Sequence, residues 1–312
     1  MKLLSVVLLL LPLSICLAEV VKDFTKSCPG FFATPNDVVS PPTGFTGTQY
    51  KQICQTRNNQ AEFATLYDTE NRIPVYSAYR FTGQMKCNRL DKWHTEPELE
   101  AGMQDQNQKT CLVNQAENGD YKKSGYDRGH LAPVFLATSQ NCADATFTLT
   151  NAAPQAAMFN RNTWMRTEKN MNDTLTKDCL NVGWRAFVVT GVVPGTDTLK
   201  NEGRVRIPSH FWMAFCCLDN NNKPKHSGAY IGQNNDNDCP VYRWSVQDLE
   251  PELTELYRKQ FHNIPDFHFT FFAGECYTET ETNELQIIEN KKRKMSQNER
   301  NKDCQSNKRQ KL

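Results

Sequence analysis

The chain has 312 residues, 38% of them hydrophobic and 23% charged, and a formal net charge of +1 at pH 7. This length suffices for one large domain or two small ones. The near-neutral charge excludes a uniformly basic surface, so a polyanionic partner would have to be held by a local patch. Downstream of the first twenty residues, no apolar run is long enough to predict a membrane span.

The first residues, MKLLSVVLLLLPLSICLAEVV, predict a secretory signal peptide over residues 1–18. Lys2 precedes an apolar run that is short for a membrane span, and Cys16 and Ala18 occupy the positions that a signal peptidase reads. An uncleaved membrane anchor is the less favoured alternative. We therefore expect a secreted, extracellular protein whose mature chain begins near Glu19.

The cysteines fit this compartment. The chain has 12 cysteines, and removal of Cys16 with the leader leaves an odd number. They are scattered without a repeated CxxC pair, which favours a disulfide framework over a zinc ribbon. One thiol must stay free or pair between chains, and Cys304 near the carboxyl terminus is the expected one. The sequence does not fix the connectivity.

The patterns after the leader divide the chain into three further parts. We expect an extended N-terminal segment over residues 19–60, a folded domain over 61–282 and a basic, disordered tail over 283–312. Residues 289–312 hold nine Lys or Arg against three Asp or Glu. The KKRK stretch in the tail resembles a nuclear import signal, but a solvated basic tail is the interpretation that a secreted chain favours.

The folded part predicts an α+β architecture. Residues 65–67 and 74–81 flank a turn-rich stretch and predict a β-hairpin, and residues 91–125 predict a long polar loop. Beyond it we expect, in order, strand 145–150, helix 156–180, strands 184–193, 210–218, 228–232 and 241–246, helix 248–261 and strand 266–272. This order predicts a mostly antiparallel central sheet with flanking helices.

Two polar groups stand out, and together they suggest phosphodiester chemistry. The stretch SGYDRGHLAPVF places Arg128 and His130 on either side of a glycine, and His130 titrates near neutral pH. In the predicted helix, Asn160 and Glu168 lie about 80° apart on one face with a rise of roughly 12 Å, so only one of them can bind an ion directly.

Each of these residue types suits one step of phosphodiester hydrolysis. A neutral His130 accepts a proton from water, and Arg128 offers a fork of donors to the phosphate. Mg²⁺ keeps several waters, so the single amide oxygen of Asn160 suffices as its protein ligand, with Glu168 acting through water. Taken singly, each side chain is more often a surface or core residue. Their combination within about forty residues favours a site.

The motif DRGHLAP, followed by Asn151, PQ, FN, a tryptophan and a glutamate, resembles the DNA/RNA non-specific endonucleases of the ββα-metal type, also called His-Me finger nucleases. IPSHFWMAFC resembles a strand of that family. The likeness covers roughly residues 62–278, within the domain that we expect over 61–282. The leader, the cysteines and the RIPVYSAY and WSVQDLE stretches resemble the secreted endonuclease domain-containing 1 branch.

The resemblance implies an α+β fold with a ββα-metal site and a secreted endonuclease that cuts DNA, RNA or both without sequence specificity. It implies His130 as general base, Asn160 as the direct ligand of Mg²⁺ (or Mn²⁺), and Glu168 as a residue that orders metal-bound water. It also implies that Arg128 contacts the phosphate and that Asn151 helps to fix the site. The oligomeric state is left open.

The sequence departs from the family in two places. Val134 and Phe135 are bulky where relatives place small residues, and Thr167 replaces a leucine before the glutamate. Because of these departures, an alternative function stays open. In this alternative the protein keeps the nuclease fold but cuts weakly, and it acts by binding nucleic acid or in immune regulation. A zinc protein built on His262, His268 and Cys276 is a further alternative without a compact ligand pair in its favour.

Overall fold

The computed structural model describes residues 18–90, 92–100, 112–200, 203–237, 239, 241–260 and 266–277. The signal peptide predicted over residues 1–18, apart from Ala18, the basic tail and Cys304 lie outside this part of the chain. No helix in the described part is long and apolar enough to cross a membrane.

The centre of the protein is a sheet of eight strands in which every neighbouring pair is antiparallel. In sheet order, the strands are β1 (Ala18–Val21), β2 (Tyr50–Arg57), β3 (Gln60–Asp68), β4 (Ile73–Phe81), β7 (Arg185–Thr198), β8 (Arg206–Leu218), β9 (Pro224–Gln233) and β10 (Tyr242–Trp244). A separate pair consists of β5 (Tyr126–His130) and β6 (Ala152–Ala156). The α+β prediction with a mostly antiparallel sheet is therefore confirmed.

Helices cover both faces of this sheet. The long helices are α4 (Met165–Asp178) and α5 (Val246–Gln260), and the short ones are α1 (Phe24–Ser27), α2 (Asn118–Tyr121) and α3 (Gln140–Ala145). Met171 and Leu175 of α4 belong to one hydrophobic core, whereas Leu253 and Tyr257 of α5 belong to the other. The sheet thus lies between two helical layers.

Strand β8 shows how the sequence builds these two cores. Phe211, Met213 and Phe215 pack into the core beneath α4, and the alternating Trp212 and Ala214 pack into the core beneath α5. Successive side chains of a strand point to opposite faces. A continuous apolar run is therefore what a strand buried on both faces requires.

The same alternation separates two adjacent cysteines at the end of β8. Cys217 bonds to Cys179 at the end of α4, and Cys216 bonds to Cys276 on the opposite face. A third disulfide joins Cys28 to β2. The expected disulfide framework is present in the described residues, and the bond of Cys276 excludes it as a zinc ligand.

The structure differs from the expected organisation near the amino terminus. Strands β1 and β2 both lie within residues 19–60, which we expected to form an extended segment ahead of the domain. Strand β2 pairs along its whole length with β3, so these residues contribute to the central sheet. The predicted hairpin is confirmed as β3 and β4.

Two predicted strands are wrong. Residues 145–150 end α3 and begin a 3-10 turn (Leu149–Asn151), because Ser139 caps α3 by accepting from the backbone N–H of Cys142. The strand follows as β6, whose Pro154 is tolerated in a two-stranded edge position.

Residues 266–272 bury alternate phenylalanines as expected, but they form only an isolated bridge at Thr270. Side chains of α5 bond their backbone instead. Thr254 accepts from the N–H of Phe269, and Glu250 accepts from the N–H of Phe271. Side chains of a helix therefore bond backbone N–H groups that would otherwise pair with a neighbouring strand.

Candidate active site

The predicted site residues lie on a β5–β6–helix unit. Strand β5 carries the DRGH motif and pairs with β6 in a register that puts Gly129 opposite Ala153. A Cβ on Gly129 would lie 2.3 Å from the side-chain Oε1 of Gln155. Glycine is thus required there because the Gln155 side chain packs over the backbone. The unit has the ββα order that the sequence resemblance implied.

The helix of this unit is less regular than expected. After β6, residues 157–158 are α-helical, and the chain then forms a π-helix (Phe159–Trp164) before α4 begins at Met165. The predicted helix over 156–180 is confirmed in its extent, but its first part is π-helical, so the α-helical rise between Asn160 and Glu168 does not apply. Single π-helical turns are frequent at functional sites, where they re-aim side chains.

His130 lies in an aromatic environment that keeps it neutral. Its ring centroid lies 4.6 Å from that of Trp93 and 5.0 Å from that of Phe147. Burial, with a smaller contribution from the positive charge of Arg89, lowers the pKa of His130 to about 3. Its buried Nε2 has no hydrogen-bond partner among the described residues. The ring is therefore neutral at physiological pH with Nε2 available as an acceptor, and the negative charge of a bound phosphate would raise its pKa towards the range in which a base takes up a proton readily.

Asn151 anchors the chain just after His130. It is fully buried, and its Oδ1 accepts from the Ser77 hydroxyl (2.9 Å) and from the N–H of Ala132 (2.8 Å). Its Nδ2 donates to the carbonyls of Ala132 and Thr146, both at 3.0 Å. All of these bonds are made within the protein. Asn151 therefore positions the DRGH loop and is not free to bind a ligand.

Arg128 is held between rings at the edge of the same loop. Its guanidinium carbon lies 5.2 Å from the ring centroid of Tyr121 and 5.8 Å from that of Trp93. One terminal nitrogen donates to the carbonyl of Asn118 at 3.3 Å, whereas its buried Nε has no partner in the described part of the chain. A guanidinium stacked in this way is pre-organised to offer further donors to an anion.

Asn160 is oriented by Asp127, the first residue of the DRGH motif. Nδ2 of Asn160 donates to Oδ2 of Asp127 at 2.9 Å, and Arg161 forms a bidentate ion pair with the same carboxylate at 2.6 and 2.8 Å. Burial alone would raise the pKa of Asp127, but the bonds from Arg161 and Asn160 lower it. The Asn160 nitrogen is thus fixed, which leaves Oδ1 as the atom for a cation.

Glu168 is half-buried, and this burial raises the pKa of its carboxyl to about 8, while the nearby Arg89 opposes the rise. Arg89 therefore acts electrostatically on both Glu168 and His130. The Arg89 guanidinium also lies 5.2 Å from the ring centroid of Phe147, which contacts His130. The structure brings His130 and Glu168 within the influence of one cation.

Sequence reasoning missed Arg89 and Trp93 because Arg89 lies between the predicted hairpin and the polar loop predicted over 91–125, and Trp93 lies in that loop. A parallel bridge between His94 and Thr148 holds that stretch against the segment that leads to β6. A bridge of this kind depends on residues more than fifty positions apart. The only local signal is the position of an arginine and a tryptophan in an otherwise polar run.

The donor set fits a hard cation held mainly by substrate and water. In the described residues, no group of three or more His, Cys, Asp or Glu side chains is placed to bind a metal ion. A single oriented amide oxygen on Asn160 and a carboxyl on Glu168 remain. Mg²⁺ prefers oxygen ligands and retains several waters, so this sparse set matches its chemistry better than that of zinc.

Comparisons with known proteins agree with this geometry. The family model described as DNA/RNA non-specific endonuclease matches residues 42–257. Endonuclease domain-containing 1 protein from Homo sapiens is 34% identical over 189 residues, which cover 57% of this chain and 37% of that protein. Nuclease C1 from Cunninghamella echinulata var. echinulata is 33% identical over 147 residues, or 43% of this chain and 56% of that protein.

Two further similarities concern endonuclease G. The mitochondrial endonuclease G of Homo sapiens is 37% identical over 109 residues, which cover 31% of this chain and 35% of that protein. The crystal structure of the EndoG/EndoGI complex matches with a TM-score of 0.48 and 24% identity, over 62% of this chain and 82% of that chain. The match to the human endonuclease domain-containing 1 protein spans 37% of that protein's length.

Proposed function

The chain belongs to the DNA/RNA non-specific endonuclease family, whose model matches residues 42–257, and we propose on this premise that it is a metal-dependent endonuclease. It hydrolyses phosphodiester bonds of DNA, RNA or both, without reading the base sequence. The observation that carries the proposal is His130, a buried neutral imidazole with an unpartnered Nε2 on the ββα unit.

His130 is the general base in this proposal. Its neutral ring takes a proton from the attacking water through Nε2, and the rings of Trp93 and Phe147 hold its orientation. Asn151 fixes the backbone that follows His130 through the amide bonds to Ala132. A base held in one orientation pays no reorganisation cost during the reaction.

Arg128 and Arg89 stabilise the charge of the reacting phosphate. Arg128 is stacked on Tyr121, and its buried Nε has no partner among the described residues, so the side chain would bind a phosphate with little loss of side-chain entropy. Arg89 lies over Phe147, and its positive charge adds to burial in lowering the pKa of the nearby His130 imidazole. In this proposal both arginines contact the phosphate and not the bases, which accounts for cleavage without sequence specificity.

Asn160 and Glu168 are the residues that would hold a divalent cation, Mg²⁺ with Mn²⁺ as the alternative. Asn160 would bind it through Oδ1, because Asp127 holds the amide nitrogen, and Glu168 would act through water. A bound cation supplies Lewis-acid stabilisation of the phosphate and of the leaving oxygen. It would also favour the ionised form of Glu168, whose pKa burial otherwise raises to about 8.

The departures from the family pattern do not favour the alternative of a weakly cutting binding protein. Phe135 packs against the hydrophobic core. The hydroxyl of Thr167 is buried and donates to the carbonyl of Thr163 inside the helix. Three disulfides in the described residues support the proposal that the protein is secreted and extracellular.

The proposal is tested by digestion of supercoiled plasmid and of single-stranded RNA with purified protein, with and without a chelator. We expect chelation to stop cleavage and His130→Ala to slow it by about 10²–10⁴-fold. His268→Ala is the matched control, since His268 is exposed. Cleavage by His130→Ala at the rate of the control would refute the assignment of the base.

A further inference from the structure

Two described cysteines have free thiols, Cys87 and Cys142, and both are half-buried. The other cysteines in the described part of the chain are all disulfide-bonded. The thiol pair lies outside the ββα unit and has no part in the proposed hydrolysis. Whether the two thiols can react with each other depends on how the two segments that carry them are placed.

These two segments lie side by side. The backbone N–H of Met85 donates to the carbonyl of Ala137 at 2.9 Å. The N–H of Asn88 donates to Oε1 of Gln140 at 2.9 Å, and Nε2 of Gln140 donates to the carbonyl of Asn88 at 3.1 Å. The chain over residues 85–88 therefore runs along the residues that lead into α3.

This pairing brings the segment of Cys87 alongside the start of the helix that carries Cys142. Cys87 lies between the two bonded positions of its segment, and Cys142 lies two residues after Gln140, in the first turn of α3. The backbone N–H of Cys142 is fixed by the side chain of the capping residue Ser139 at 2.9 Å. Nε2 of Gln140 also donates to the Asp144 carboxylate at 2.7 Å, and this carboxylate adds to burial in raising the pKa of Cys87. The segment of Cys87 and the first turns of α3 thus face each other around Gln140.

The electrostatics of the thiols agree with this closeness. Burial raises the pKa of Cys142 to about 11, and negative charge on Cys87 is among the further causes. Burial, followed by the carboxylate of Asp144, also raises the pKa of Cys87. A raised pKa favours the neutral thiol at physiological pH, and a neutral thiol reacts more slowly with a disulfide than a thiolate does.

We propose that Cys87 and Cys142 are a redox pair that closes to an intramolecular disulfide. The oxidant is a disulfide donor such as oxidised glutathione. One thiolate attacks a donor sulfur and releases a reduced thiol, and the second thiolate then displaces the other half of the donor. The protein loses two protons and two electrons, and one donor disulfide becomes two thiols.

Closure would fix the segment that carries Arg89. Arg89 lies two residues after Cys87, and its guanidinium contacts Phe147, which in turn packs against His130. A bond between Cys87 and α3 removes the freedom of this segment to move away from the aromatic ring. The pair thereby controls the mobility of an arginine beside the candidate site.

Peptide mapping of the intact, unreduced protein tests the proposal directly. The protein is incubated for hours with oxidised glutathione, alkylated under denaturing conditions and digested with trypsin. We expect the tripeptide 87–89 to appear disulfide-linked to peptide 129–161, two fragments that trypsin releases from this sequence. The same sample without the donor, after mild reduction, should yield both peptides alkylated.

Cys87→Ser is the matched control, and it should leave Cys142 alkylated or joined to glutathione with no linked peptide. Hydrogen exchange of residues 85–88 should be slower in the oxidised wild-type protein than in Cys87→Ser. The inference is overturned if the donor-treated wild-type protein yields both cysteines alkylated, or each joined to glutathione, without the linked pair. Neither readout depends on nuclease activity.

Discussion

Replacement of Asn151 by alanine should destabilise the protein by about 3–5 kcal/mol. The side-chain amide makes four buried hydrogen bonds, to Ser77, to both backbone groups of Ala132 and to the carbonyl of Thr146. Each such bond contributes on the order of 1 kcal/mol net, and buried groups that are left unpaired add to the loss. Asn151→Ala removes all four bonds at once.

Two related variants separate the contributions. Ser77→Ala removes one of these bonds together with the bond to the Thr65 hydroxyl, so it should cost about 1–2 kcal/mol. Asn151→Asp retains the acceptor Oδ1 but replaces the nitrogen, which donates both bonds, by one oxygen that faces two carbonyls. It should therefore be less stable at neutral pH, where the carboxyl ionises, than in acid.

Urea unfolding under non-reducing conditions, followed by tryptophan fluorescence, measures these differences. For a chain of this size a loss of 4 kcal/mol corresponds to a decrease in melting temperature of about 6–8 °C. Cleavage by the folded Asn151→Ala protein should also decrease, since the loop after His130 loses its anchor. If Asn151→Ala were within 1 kcal/mol of the wild-type protein, the positioning role of this amide would be wrong.

Three other predictions concern the site and the tail. Because burial lowers the pKa of His130 from 6.5 to about 3, the unfolded chain takes up that proton first as the pH falls, so stability should decrease from about pH 6.5 towards 3. This acid loss should be smaller in His130→Gln, and parallel curves of melting temperature against pH would contradict it. Asn160→Ala should raise the Mg²⁺ concentration required for half-maximal cleavage, whereas Glu168→Gln should mainly reduce turnover; the reverse order would show that the two roles are exchanged. Removal of residues 289–312, which carry nine basic and three acidic side chains, should flatten the salt dependence of DNA binding by up to several units of log–log slope and leave saturated turnover unchanged, and an identical slope would exclude a role for the tail in binding.

Local patterns were sufficient to predict the elements with strong periodicity. The hairpin of β3 and β4 and the run that became β8 both follow from β-branched and aromatic residues between turn signals. The helix α5 also follows from its pattern, although it begins two residues earlier than expected. The DRGH motif, through the family that it resembles, led to the ββα unit, although the second strand of that unit, β6, begins after the strand expected over 145–150.

What the sequence could not predict depends on contacts between distant segments. Residues 145–150 form the end of α3 and a 3-10 turn instead of the expected strand, because a side chain caps the helix. Residues 266–272 do not pair as the expected strand, because side chains of α5 bond their backbone. The π-helix is invisible to a 3.6-residue periodicity. Arg89 approaches His130 because its segment bonds to distant residues: Asn88 to Gln140, and His94 to the chain around Thr148.

The adjacent cysteines at the end of β8 form two disulfide bonds that hold different parts of the protein to the same point of the chain. The bond of Cys217 holds the end of α4, the helix that continues from the candidate site, to the sheet. Cys216 holds the segment that covers the opposite face, across a sequence separation of 60 residues. Loss of one bond would therefore loosen one layer only. Loss of the Cys217 bond would disturb the geometry of the site, whereas loss of the Cys216 bond would weaken the packing on the opposite face of the sheet.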